Sequence, residues 1–255
     1  MKYSPFRMER WQSTYEHRVE INLSESGVHP PPVVELVALS ARDVDVHGTL
    51  LGYGQSNGSD GLRTLIADQY RGATDASVLV TTGGAEANFV AFWHLFEGDA
   101  TAAIVLPTYG QVPGLLESFG SRLLPVHLRE DTGWQPDLQA LEEALKAGAS
   151  FVLITNPNNP TGASLSRESM DAIADLTQQH GAWILADEVY AGAESHGNRT
   201  PSFWGVHDRV IVTNSLSKAY GLPGLRLGGI VAPEKRVPEV GGSSDYATKA
   251  PGVAP

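Results

Sequence analysis

No cysteine occurs among the 255 residues, which excludes disulfides, thiolate metal sites and cysteine nucleophiles. Cations are scarce: 18 Lys and Arg stand against 29 Asp and Glu, for a formal net charge of −11. No basic stripe is available to track a nucleic-acid backbone or an anionic membrane, so neither partner is expected. Long apolar runs are also missing. No window approaches the length of a membrane span, and Met1 to Phe6 carry no signal-peptide core, so a soluble cytoplasmic protein is expected. The eight histidines form no i, i+4 pair around a carboxylate, and no metal site is expected. Internal repeats and low-complexity tracts are absent.

What is present reads as globular. Apolar residues make up 42% of a chain long enough for one good core, or a large domain plus a piece of a second. Residues 1–20 read as a short arm or helix, with Trp11 and Tyr15 at i, i+4. Asn22 to Pro32 is turn-rich, a helix is expected over Val33–Ser40, and Leu51 to Gly58 is a Gly-rich loop. Leu62, Ile66 and Tyr70 mark one helical face. From Val78 onward, strand and helix alternate. Strands are expected at Val78–Thr82, Ala102–Leu106, Leu123–Leu128, Phe151–Thr155, Trp183–Ala186, Val210–Thr213 and Leu225–Val231. Pro125 moves the third of these towards a sheet edge. Helices are expected from Gly83 to about Phe96, around Leu115 and Leu116, through Leu138, Leu141 and Leu145, and through Met170, Ile173 and Leu176 behind a Ser166 cap. This order predicts an α/β fold: a mainly parallel sheet with helices on both faces, its ligands gathered beyond the carboxyl ends of the strands.

The chemistry-bearing residues fall at those ends. Lys218 sits in Asn214-Ser215-Leu216-Ser217-Lys218-Ala219-Tyr220-Gly221, with Arg226 shortly after. An amine flanked by hydroxyls and a guanidinium suits a carbonyl cofactor that also carries a phosphate. Lys218 would form the imine, while Ser215, Ser217 and Arg226 would grip the phosphate. A solvent-exposed loop lysine is the plainer alternative. Ser215 to Lys218 also fits the S-x-x-K pattern of serine β-lactamases, but the S-D-N and K-T-G elements are missing, since Tyr246 follows Ser244-Asp245 and Ala250 follows Lys249.

Gly83-Gly84-Ala85 opens a helix after a strand, which makes an anion site or a simple glycine turn. Tyr109 offers a face for a planar ring, or packs. Asn156-Pro157-Asn158-Asn159-Pro160-Thr161-Gly162 is a constrained turn that fixes the Asn159 amide. Asp187-Glu188-Val189-Tyr190 ends an apolar strand. Its aspartate either caps a helix or meets a cation such as a protonated pyridine, with Tyr190 reaching the same ring.

Together these motifs resemble the fold-type I pyridoxal-phosphate enzymes of aminotransferase class I/II, from about residue 20 to the end. The resemblance implies that Lys218 carries the cofactor as a Schiff base and shuttles the substrate proton. It implies that Asp187 keeps the ring nitrogen protonated, that Asn159 and Tyr190 contact the ring oxygen, and that Tyr109 stacks on the ring. Gly84, Ala85, Ser215, Ser217 and Arg226 would hold the phosphate. Tyr53 would reach the phosphate of a partner subunit in a homodimer with shared sites. Residues 22–30, with Gly27 at the substrate, would close over it. Three segments follow: 1–30 as arm and substrate-closing segment, 31–240 as the large cofactor-binding domain, and 241–255 as the start of a connection to a small C-terminal domain missing from this chain. Ala85 lacks the hydroxyl that many relatives place beside the phosphate, and no residue matches the family's carboxylate-binding arginine.

The expected activity is transfer of an amino group between an amino acid and a 2-oxo acid. Trp11 and Ser24 to His29 also resemble capreomycidine-synthase-like enzymes, so a cyclase or lyase of the same fold is the alternative, as is an inactive truncated fragment. A non-catalytic regulator with a similar domain would need a winged-helix segment, for which residues 1–20 are too short.

Overall fold

The structure is a computed structural model that describes residues 5–40, 44–96 and 100–252. Its centre is an eight-stranded sheet. The strands are β1 (Val78–Thr81), β2 (Thr101–Leu106), β3 (Arg122–Arg129), β4 (Gln135–Pro136), β5 (Phe151–Thr155), β6 (Trp183–Asp187), β7 (Val210–Ser215) and β8 (Gly228–Val231). They lie in the order β1-β8-β7-β6-β5-β2-β3-β4. The run β7, β6, β5, β2, β3 is parallel throughout. Only β8 and the short β4 oppose it; β1 pairs antiparallel to β8 and so runs with the parallel set.

Both faces of the sheet are covered, and the period of two in each strand decides which residue goes where. Val152 and Ile154 of β5 enter one apolar cluster, with Leu141, Met170 and Ile173. Phe151 and Leu153 enter the other, with Val90, Phe92, Leu116 and Val240. The first face carries α3 (Asp60–Ala67), α6 (Leu138–Lys146) and α7 (Arg167–His180); the second carries α4 (Gly84–Leu95), α5 (Gln111–Phe119) and α8 (Val237–Ser244). Burial on both sides is why these strands read as continuous apolar runs. The N-terminal helices α1 (Arg7–Tyr15) and α2 (Val33–Leu39) contain no buried residue.

Local chemistry sets the boundaries. Ser166 caps α7 by accepting from the Ser169 N–H at 3.0 Å, and Asp137 caps α6 through the Ala140 N–H at 3.0 Å. Gly120 and Gly181 end α5 and α7 in the left-handed region that glycine enters without penalty. Pro125 is tolerated because β4 covers only Leu128 and Arg129, so β3 has no outer strand beside the proline.

Two expectations differ from the structure, and one helix was not expected. The final strand begins at Gly228, not Leu225: Pro223–Leu225 is a 3-10 turn, and Arg226 at φ 49° breaks the extended run. Tyr70 lies beyond the end of α3, in the following turn, where its hydroxyl accepts from Asn214 Nδ2 at 3.0 Å. Helix α8 was not read from the sequence, because Pro238, Gly241 and Gly242 are weak helix formers; packing of Val237 and Val240 carries it.

Candidate active site

The parallel strands and β1 deliver their carboxyl ends to one edge of the sheet. There they meet the start of β8, which runs the other way. This is how Arg226, preceding β8, comes beside Gly83, following β1. A cavity of about 300 Å³ opens at this edge. Gly84, Ala85, Tyr109, Asn159, Asp187, Tyr190, Ser215, Ser217, Lys218 and Arg226 all line it, drawn from positions across most of the chain. Two of the twelve expected residues are not in its lining. Tyr53 is 81% exposed elsewhere, with the Lys249 Nζ 4.3 Å above its ring. Gly27 lies alongside: a Cβ there would stand 3.6 Å from the Lys218 side chain.

One end of the cavity is built for an anion. Helix α4 starts at Gly84 with no side-chain cap, leaving its first N–H groups and the positive end of its dipole free. Ser215 packs within 3.4 Å of the Gly84 Cβ position. The Ser215 hydroxyl accepts from the Ser217 N–H at 3.2 Å. Arg226 folds its guanidinium against this turn, donating to the Pro223 carbonyl at 2.8 Å and the Thr82 carbonyl at 3.4 Å. Two glycines make the fit possible. Gly83 has φ 87°, and a Cβ on it would collide with the Arg226 guanidinium. A Cβ on Gly228 would come within 2.7 Å of the Gly83 carbonyl oxygen and 2.8 Å of the Gly84 nitrogen.

Asp187 marks the opposite pole. Val189 N–H donates to one carboxylate oxygen at 3.1 Å and Asn88 Nδ2 to the other at 2.9 Å. Burial pushes the carboxyl above its ordinary range, and these two neutral donors offset only part of that. Among the described residues no cationic side chain pairs with Asp187. To stay ionised, a carboxylate held this way needs a positive partner, and a protonated ring nitrogen would be one.

Between the poles, the Asn156–Gly162 turn is locked from within. Asn156 Oδ1 accepts from the Leu165 N–H at 2.9 Å; Asn158 accepts from Thr161 Oγ1 at 2.8 Å and donates to the Pro107 carbonyl at 3.0 Å. Asn159 is left facing the cavity, donating to the Tyr190 hydroxyl at 3.1 Å. Tyr109 presents its ring with Phe6 edge-on at 5.2 Å. Burial, then the nearby Glu9, raises its phenol well above the ordinary value. Lys218 reaches in from the loop after β7, its Nζ 2.6 Å from Glu25 Oε1. Phosphate pole, amine, ring-facing residues and buried carboxylate therefore fit pyridoxal phosphate.

The sequence reading missed several residues that complete this site. Glu25 and Ser26 reach over from the N-terminal segment, Ser26 Oγ lying 2.7 Å from the Tyr190 hydroxyl. Inside the core, Asn88 donates to Asp187 and accepts from Thr213. Glu9 and Gln12 of α1, and Glu16 directly after it, also line the cavity. The expectation that residues 22–30 close over the substrate covers Glu25 and Ser26 without naming their partners, and Asn88 and Thr213 are polar residues in apolar runs, a pattern that asks for a partner.

Comparison with known proteins agrees with the geometry. The aminotransferase class I and II family matches residues 20–241. The chain belongs to that family, whose members depend on pyridoxal phosphate. Capreomycidine synthase of Streptomyces vinaceus is 31% identical over 247 residues, 94% of this chain and 63% of that protein. Arginine–pyruvate transaminase of Pseudomonas aeruginosa is 29% identical, over 80% of this chain and 52% of that protein. The chain thus spans less than two thirds of the length of these relatives. Among solved structures, a pyridoxal-phosphate-dependent aminotransferase from Streptococcus suis superposes with a TM-score of 0.92 at 30% identity, covering 99% of this chain and 68% of the other.

Proposed function

We propose that this chain provides the cofactor-binding site of an enzyme that transfers an amino group between an amino acid and a 2-oxo acid. The observation that carries the reading is the convergence, in one cavity, of the Lys218 amine, an uncapped helix start beside Arg226, and a buried Asp187 with no cationic partner among the described residues. Gly84, Ala85, Ser215, Ser217 and Arg226 would hold the phosphate. Asn159 and Tyr190 would orient the ring oxygen, and Tyr109 would cover a ring face. Asp187 would hold the proton on the ring nitrogen. When bound, the ring withdraws electrons from the substrate's α-carbon. Lys218 supplies the amine that retains the cofactor and, once released, moves the proton at that carbon. Gly27 and the rest of residues 22–30 lie where they would cover a substrate, with Ser26 on Tyr190. Tyr53, exposed and covered on one ring face by Lys249, would reach the phosphate of a second copy in a homodimer, which we assign to the cytoplasm.

A second reading has its own support. The similarity to capreomycidine synthase covers 94% of this chain and includes the Ser24–His29 segment over the cavity, so a cyclase or lyase reaction at the same amine is the alternative. Tracing ¹⁵N from labelled amino acids separates them. A transaminase passes the label to a 2-oxo acid in proportion to turnover. A cyclase or lyase alters the amino acid and leaves the 2-oxo acid unlabelled.

A further inference from the structure

Asn88 is 3% exposed and Thr213 is 3% exposed, two polar side chains inside the core. Their arrangement is directional. The Thr213 hydroxyl donates to Asn88 Oδ1 at 2.7 Å. An amide whose oxygen is occupied in this way must turn its NH₂ the other way. That NH₂ donates to Asp187 Oδ2 at 2.9 Å and, at 3.4 Å, to Gln111 Oε1. Gln111 in turn donates to the Ala85 carbonyl at 2.8 Å, in the first turn of the helix that forms the anion pole. One side chain therefore ties the carboxylate at one end of the cavity to the helix start at the other, and Thr213 sets its sense.

We infer that Asn88, oriented by Thr213, is a positioning residue that holds the Asp187 carboxylate in place for the ring nitrogen of the cofactor. This rests on the proposed cofactor reading. The reason for the device is physical. A buried carboxylate with only neutral donors is costly to keep ionised, and each donor lost makes the neutral acid more favourable. A neutral Asp187 offers nothing to a pyridinium. Were Thr213 unable to donate, the Asn88 amide would be free to turn its oxygen towards Asp187, placing acceptor against acceptor. The hydroxyl at position 213 thus fixes which face of the amide the carboxylate meets.

The test compares the full chain with Thr213→Val, Thr213→Ser and Asn88→Leu. Each is titrated with pyridoxal phosphate and with its carbocyclic analogue, in which CH replaces the ring nitrogen. Bound cofactor is read by visible absorbance and by borohydride trapping. Loss of the hydrogen bond to the charged carboxylate predicts a drop of about tenfold in affinity for pyridoxal phosphate in Asn88→Leu, and loss of the neutral bond that orients that donor predicts a drop of about fivefold in Thr213→Val. Thr213→Ser keeps the donor and stays within about twofold of the unaltered chain, and the carbocyclic analogue binds all four proteins within about twofold. A merely structural role would weaken both compounds alike, and that result overturns the inference. So does unchanged pyridoxal-phosphate affinity in both Thr213→Val and Asn88→Leu. If Asn88→Leu fails to fold, Thr213→Val decides alone, since it deletes one hydroxyl at nearly constant volume. Failure of the unaltered chain to capture pyridoxal phosphate at all is a separate outcome, which overturns the cofactor reading and the inference with it.

Discussion

Glu25 Oε1 lies 2.6 Å from the Lys218 Nζ, across 193 residues of sequence. The same oxygen accepts from the Ser26 and Gly27 N–H groups, each at 3.0 Å. The N-terminal segment is thus fastened to the loop after β7 through the very amine that the cofactor reading requires.

This contact has a titration signature. Burial acts to raise the Glu25 carboxyl, but the hydrogen bond and charge of Lys218, with the two amides, hold it below the ordinary value of 4.5. A carboxyl lowered in the folded state contributes stability above 4.5 that disappears as pH falls through the folded value. Amide resonances of Ser26 and Gly27, followed by NMR, should titrate with a midpoint below 4.5 and shift upward in Lys218→Ala. An unmoved midpoint in that variant would show that the pair does not persist in solution.

Glu188 predicts the opposite slope. It is 2% exposed, and burial raises its carboxyl to about 7, against the partial relief of the Phe203 N–H and Ser202 hydroxyl. Its stabilising contribution is complete below 4.5 and is lost as pH rises through about 7. The span corresponds to roughly 3 kcal/mol. Urea unfolding at pH 5 and pH 8 should show the unaltered chain losing up to that amount relative to Glu188→Gln. Parallel pH dependence in the two proteins would refute the assignment.

Gly228 tests the joint between β8 and the start of α4. A Cβ there meets backbone, which cannot step aside as a side chain can. Gly228→Ala should lower stability by about 1–3 kcal/mol. It should also weaken inorganic phosphate binding at the anion pole, whereas Gly224→Ala, with open space at its Cβ position, should change neither. Calorimetry with and without phosphate reads both.

Much of the fold was legible because its strands are buried on two faces. Phe151–Thr155 and Trp183–Ala186 stand out as short apolar runs between turn residues, and the structure places them side by side as parallel strands. Pro125, by its missing N–H, moved β3 towards the sheet edge, where the short β4 alone lies outside it. The helix over Val237–Ser244 was hidden, since long-range packing overrides the local preference of Pro238 and the two glycines. At the site the pattern is similar. Lys218, Asp187 and Arg226 lie in loops or at strand ends with motif neighbours, and such residues announce themselves. Glu25 sits in a turn-rich stretch with no periodicity, and only the folded chain brings it to Lys218. Asn88 lies inside a helix whose other buried residues are apolar, so its partners, Thr213 and Asp187, could not be named before the strands were ordered.

In the proposed function the cofactor attaches at the ε-amine of Lys218. The chain should be incubated with pyridoxal phosphate, reduced with borohydride, digested, and its peptides mapped by mass spectrometry. The phosphopyridoxyl mass is predicted on the peptide that contains Lys218, with none in Lys218→Ala. Label confined to any of the other four lysines, or no label at all, would contradict it.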